Sequence, residues 1–202
     1  MNYLAIDTST NICSVCLYVD NKIIDQKNVI TDNNHSKFLA SLVLDIIQEN
    51  KIKFSIIDYY LLSIGPGSYS GLKVGSSFLK GLAYTQDKPI IPINTIDSIN
   101  SKITNDENYY IALYSHRNYV YYQEFIKGKP IGEQACDLIS NLKKIKIYGY
   151  GLDRIDNLEY VELKPLAANL IEYFIANKSK IKKVKNSDIS PLFLSMTKIK
   201  ND

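Results

Sequence analysis

The chain has 202 residues, 46% hydrophobic and 22% charged, with a formal net charge of +3. That is room for one large domain or two small lobes around a real core, and too little charge to imply nucleic-acid binding by itself. No stretch approaches the roughly 20 consecutive apolar residues that span a bilayer.

Met1 to Asp7 enters a strand at once, without a basic leader region or cleavage site, which predicts a cytoplasmic protein with no membrane contact. Tyr3 to Ile6 reads as a short apolar strand, followed by the polar turn Asp7-Thr8-Ser9-Thr10-Asn11. Ser14 to Val19 alternates, Asp20-Asn21 makes a hairpin turn, and Lys22 to Val29 returns. A helix is expected from about Ser36 to Gln48, then a buried parallel strand from Ile57 to Ile64. The glycine-rich turn from Gly65 to Gly71 opens a second helix reaching about Tyr84, and Pro89 to Ile93 is the next strand. Three strands, helix, strand, helix, strand is the order of a ribonuclease-H-like lobe of the actin/hexokinase α/β class.

The second half carries fewer signals. Tyr109 to Tyr114 and Tyr119 to Ile126 pair as a hairpin across Ser115-His116-Arg117-Asn118, and Ile145 to Tyr148 is a short strand. Pro165 to Asn177 is an amphipathic helix with Leu166, Leu170 and Phe174 on one face. The polar segment Ser98 to Asn108 marks the expected boundary, giving an N-terminal lobe over residues 1–100 and a degenerate C-terminal lobe over 101–202.

Three cysteines make no disulfide framework. Cys13-Ser14-Val15-Cys16 has CxxC spacing, but residues three apart on a strand point to opposite faces, so the thiols diverge. His35 and His116 complete no metal cluster. Lys178, Lys180, Lys182, Lys183 and Lys185 read as a solvated helix end, with an RNA-facing patch as the alternative.

A strand, a glycine-rich turn and a helix together suggest an anion site. The register fails for a P-loop, because only three residues separate Gly67 from Gly71-Leu72-Lys73. It fails for a hydrolase elbow, because Tyr69 stands where a serine is needed, and no dinucleotide fingerprint is present. Packing remains. At 100° per residue Gly71 and Gly75 fall among Val74, Phe78, Leu79 and Leu82, where another backbone must come close. On the first helix Phe38, Leu39, Leu42, Val43, Ile46 and Ile47 cover about 180°, wider than one sheet-facing stripe. The excess suits either a second protein or a helix sunk between sheet and neighbour.

Leu4-Ala5-Ile6-Asp7-Thr8-Ser9-Thr10 with Cys13-Ser14-Val15, His35-Ser36, and Gly65 to Gly71 with Lys80-Gly81-Leu82-Ala83 together resemble the TsaB (YeaZ) family. Pro191-Leu192-Phe193-Leu194 is similar to that family's closing motif. The first half matches specifically, the second at scattered points. The resemblance implies two ribonuclease-H-like lobes, the second degenerate, in a subunit without catalytic residues of its own. Such a subunit serves threonylcarbamoyl transfer to the adenosine beside the tRNA anticodon. In the catalytic paralogue TsaD two histidines bind metal, and Thr95 and Ile99 stand at the matching positions, so neither catalytic nor metal residues are expected.

The implied partners are a TsaD-like subunit, a TsaE-like ATPase and tRNA through the complex, with a homodimer when alone. The expected seam is His35, Phe38, Leu39, Leu42, Ile46, Gly71, Val74, Gly75, Phe78, Leu79 and Leu82. Asp7, Ser9 and Thr10 match the superfamily's first phosphate loop, as a degenerate nucleotide site or a turn capping itself. No cofactor of its own is expected, and a nucleotide at the partner interface stays open. Tyr114-Ser115-His116 stands where Asp-Ala-Arg is common, Ser195 replaces a terminal arginine, and Lys73 replaces an arginine. The alternatives are an ATP-dependent small-molecule kinase of the superfamily and a metallopeptidase.

Overall fold

The computed structural model describes residues 1–194 apart from 33, 105, 106, 180, 182 and 183. Alternating residues near the N-terminus build an antiparallel meander of β1 (Tyr3–Asp7), β2 (Ile12–Val19) and β3 (Lys22–Ile30). The β2–β3 turn places Asp20 and Asn21 at φ 50° and 63°, the left-handed pair that a two-residue hairpin requires. Parallel strands need crossovers, and the two helices supply them. Helix α1 (His35–Glu49) leads to β4 (Tyr59–Ser63), and α2 (Tyr69–Gln86) leads to β5 (Ile90–Ile93). The sheet order is β3-β2-β1-β4-β5.

A second sheet repeats this plan. Strands β6 (Asn108–His116), β7 (Tyr119–Ile126) and β8 (Lys129–Leu138) run antiparallel, and β9 (Lys146–Tyr150) and β10 (Val161–Glu162) extend it in parallel. Its order, β10-β9-β6-β7-β8, is the first sheet's order read from the other edge. Where the first lobe inserts two long helices, the second has single 3-10 turns at Ile139–Asn141 and Leu152–Arg154. The second lobe is thus a reduced copy of the first.

The lobes exchange helices. The six-residue α3 (Thr95–Asn100) leaves the first sheet and buries Ile96 and Ile99 beside Tyr109, Ile111, Leu113 and Phe125 of the second. In return α4 (Ala167–Asn177) lays Leu170, Ile171 and Phe174 against Tyr3, Ala5, Cys16 and Leu61. Phe174 meets the Tyr3 ring edge-on at 5.2 Å. Leu166 precedes this helix instead of sharing its buried face, and the Ala167 N–H donates to Ser14 Oγ of β2 at 2.8 Å. Beyond α4, Ile189 joins the first core and the Leu192 N–H donates to the Ile64 carbonyl at 2.6 Å. A division at residue 100 therefore leaves α4, Ile189 and Leu192 of the second half packed on the first lobe, and α3 of the first half packed on the second.

Cys13 and Cys16 sit in different cores on opposite sheet faces, and burial pushes both thiols up to about 12. Of the lysine cluster, Lys178 lies over Phe174 at 5.9 Å, while 180, 182 and 183 lie outside the described residues, as does Ser195. No described helix is long and apolar enough to cross a membrane.

The glycines of α2 have a specific use. A Cβ at Gly71 would strike the Thr8 carbonyl and the His35 ring, and one at Gly75 would strike the Thr8 hydroxyl. Both therefore face the turn after β1, inside this chain, and not a partner seam. Gly81 meets nothing within 4 Å. Gly75→Val should accordingly cost at least about 1–3 kcal/mol through overpacking. Gly81→Ala should add about 0.5–1 kcal/mol by helix propensity. Urea unfolding of both variants checks the pair, and a tolerated Gly75→Val would refute the packing.

Candidate functional site

The turn after β1 organises its surroundings through its own polar groups. Asp7 is fully buried, and its Oδ1 accepts from the Ser9 N–H at 2.8 Å and the Ser9 hydroxyl at 2.6 Å. Burial raises the carboxyl above its ordinary range, while hydrogen bonds from Ser9 and Ser63 pull it partly back. Thr8 donates its hydroxyl to the Gly71 carbonyl at 2.8 Å, and the Ser68 N–H donates to the Ser9 carbonyl at 2.7 Å. His35 Nε2 lies 2.7 Å from the Thr10 carbonyl, so that nitrogen carries the proton. Its buried Nδ1 has no described partner, and burial lowers the ring's pKa, so His35 is a neutral strut.

These contacts decide between the two readings of Asp7, Ser9 and Thr10. Ser9 and Thr10 line the cleft between the lobes, but Asp7 is sealed beneath them and spends one oxygen on capping the turn. The trio does not fit a metal-bound nucleotide, because the only carboxylate among them cannot reach it.

On the helices, His35, Leu39, Leu42, Ile46 and Leu79 are buried within this chain and, with Gly71 and Gly75, leave the expected seam. Hydrophobicity alone cannot separate a residue facing its own sheet from one facing a partner. Phe38, Val74, Phe78 and Leu82 are half-buried, packed on the first core with part of each ring or branch outside. Leu44 at 48% and Tyr84 at 87% exposure were not among the expected seam residues. The signal for Leu44 was its position beyond the apolar arc of α1; nothing in the pattern marked Tyr84.

The cleft has a volume of about 330 Å³. Ser9, Thr10, Asn11 and Ser68 line one wall, and Tyr114, His116, Tyr121, Tyr150 and Arg154 the other. Ser68 caps α2, so the positive end of that helix dipole lies at the first wall. Arg154 lies over the Tyr114 ring at 5.2 Å, and His116 stacks on Tyr119 at 5.0 Å. The lobes are also clasped by a reciprocal amide pair, Asn94 with Gln134, at 2.8 and 3.0 Å. Thr95 is buried with its hydroxyl 2.7 Å from that of Ser63, and Ile99 lies in the second core. Among the described residues no three His, Cys, Asp or Glu side chains converge as metal ligands.

Two sheets of one strand order, clasped across a cleft with helices exchanged between them, define an α/β protein of the actin/hexokinase-like class. The family model of tRNA N6-adenosine threonylcarbamoyltransferase (TsaD) matches residues 19–177. The chain belongs to that family, and several of the relatives it matches are named TsaB. The tRNA threonylcarbamoyladenosine biosynthesis protein TsaB of Haemophilus influenzae is 29% identical over 133 residues, covering 64% of this chain but only 56% of that protein. The TsaB of Buchnera aphidicola subsp. Schizaphis graminum is 24% identical over 199 residues, 88% of this chain and 94% of that one. In fold the chain is similar to YeaZ from Pseudomonas aeruginosa, with a TM-score of 0.76, 20% identity, and 96% and 99% of the two chains covered.

The buried carboxyl gives a test of the turn. A folded pKa raised above 3.8 means Asp7 stabilises the fold most below that pH and loses this contribution as pH rises through the folded value. Asp7→Asn should therefore raise the thermal midpoint at pH 7, and the gain should shrink towards pH 4. A gain independent of pH, or a loss at pH 7, would contradict the sealed geometry.

Proposed function

We propose that this chain is the non-catalytic subunit of a threonylcarbamoyl-transfer complex. It pairs with a TsaD-like catalytic subunit through the outward side of α1 and α2 and acts with a TsaE-like ATPase. The transferred group goes to the adenosine beside the tRNA anticodon, in the cytoplasm. The observation that carries this reading is apolar surface on the two helices: Phe38 of α1 and Val74, Phe78 and Leu82 of α2 are only half covered, and Leu44 and Tyr84 are exposed. Exposed apolar groups on two adjacent helices favour a partner. Family membership supplies the candidate, and Thr95 and Ile99, at the two histidine positions, support a subunit that contributes surface instead of metal ligands.

The same face can pair with a second copy when the partner is missing, because a two-fold interface uses one patch twice. The subunit carries no cofactor of its own in this reading, and a nucleotide cofactor of the complex would sit at the partner interface. The kinase alternative needs a carboxylate facing the cleft, and Asp7 faces inward.

Leu44→Glu combined with Tyr84→Glu places charge on the outward face without touching the core. This double variant should keep the wild-type circular dichroism and thermal midpoint. It should lose co-purification with the TsaD-like protein of the same genome, and reconstituted tRNA modification should fall at least about tenfold, the ratio of one lost contact of about 1.4 kcal/mol. Undiminished pairing and modification would sink the proposal.

A further inference from the structure

The cleft between the lobes is left unused by that reading, and its lining has a definite chemistry. Among the described residues, Arg154 and His116 are the only ionisable groups in it besides tyrosines, and no carboxylate lines it. Asp153 and Glu162 act on the Tyr150 hydroxyl from nearby but stand outside the lining, and Asp7 is sealed beneath the floor. A divalent cation binds through oxygen ligands, chiefly carboxylates, so the lining suits an anion that arrives without one. An arginine fork facing a helix N-terminus across a cleft is suited to a phosphate. The tyrosines offer flat faces on which a base can stack.

We propose that the interlobe cleft binds one nucleoside monophosphate unit without a divalent metal, presented as an unpaired nucleotide of single-stranded RNA. Arg154 holds the phosphate and Tyr121 supports the base. The volume is at the small end for ligand pockets, enough for one unit and not for a duplex. A net charge of +3 provides no broad basic surface, which fits recognition of a single splayed nucleotide in a loop. Choosing RNA over a free nucleotide rests on the function proposed above.

The test uses the isolated full chain and a fluorescein-labelled anticodon stem-loop RNA, followed by anisotropy in EDTA and in magnesium. Binding should persist in EDTA, and unlabelled AMP should compete. Arg154→Gln and Tyr121→Leu should each weaken binding about tenfold, within the range of one lost stacking or charged contact. Both should keep the wild-type circular dichroism, and Lys22→Gln, outside the cleft, should bind as wild type. Absent RNA binding, a strict need for magnesium, or binding that survives both cleft variants would overturn the inference. AMP binding without RNA binding would overturn the RNA presentation and assign the cleft to a free nucleotide. No partner subunit is present, so failure here leaves the co-purification test intact, and the reverse also holds.

Discussion

Thr8 is the point on which both long helices bear. Its carbonyl occupies the space a side chain at residue 71 would need, and its hydroxyl does the same at residue 75 while bonding the Gly71 carbonyl. Ser9 and Thr10 then accept from Ser68 and His35, the residues that open the two helices. Four consecutive turn residues, Asp7 to Thr10, thus fix where α2 and α1 begin. Asp7 supports them from below at an electrostatic cost that burial imposes and Ser9 offsets in part. The position of the helix pair is set because its inward side is anchored to a strand end.

The asymmetry between the lobes follows from what fills the crossover positions. In the first lobe the connections after β3 and β4 are helices of 15 and 18 residues, each with an apolar stripe deep enough to seal one sheet face. The corresponding connections of the second lobe carry only three-residue 3-10 turns, and Leu152, Ile155 and half-buried side chains such as Leu142 and Leu158 cover that face instead. The second lobe keeps the strand order without the helical bulk, so it serves as a wall of the cleft more than as a platform.

Much of the first lobe was legible because its signals are local and strong: alternation in β2, a left-handed pair at Asp20-Asn21, and 3.6-residue periodicity in α1 and α2. Strand β8 was missed because it is an edge strand carrying Pro130, Gly132 and largely exposed polar residues, with little alternation to read. Helix α3 spans six residues, under two turns, and β10 only two residues. The glycines of α2 were legible as close-approach positions, but Thr8, which approaches them, lies 63 residues before Gly71, and pattern gives no direction. For the same reason the stripe on α1 was visible while its division between core and surface was not. The cleft was half legible: Ser9 and Thr10 came from the turn, whereas the tyrosine wall required the second sheet to be placed.

The exchange of α3 and α4 sets an order on how the chain can mature during synthesis. The first sheet has all five strands once residue 93 has been made, and α1 and α2 can already cover one face. Its other face, with Tyr3, Ala5, Cys16, Leu61 and Ile91, stays open until α4 emerges at 167–177. Translation at about 5–20 residues per second leaves that face uncovered for several seconds. Closing it joins the oldest strand of the chain to one of its newest helices, a long-range contact of the kind that slows folding. Residues 1–93 thus spend their first seconds as a half-clad sheet that is completed only after the second lobe has been made.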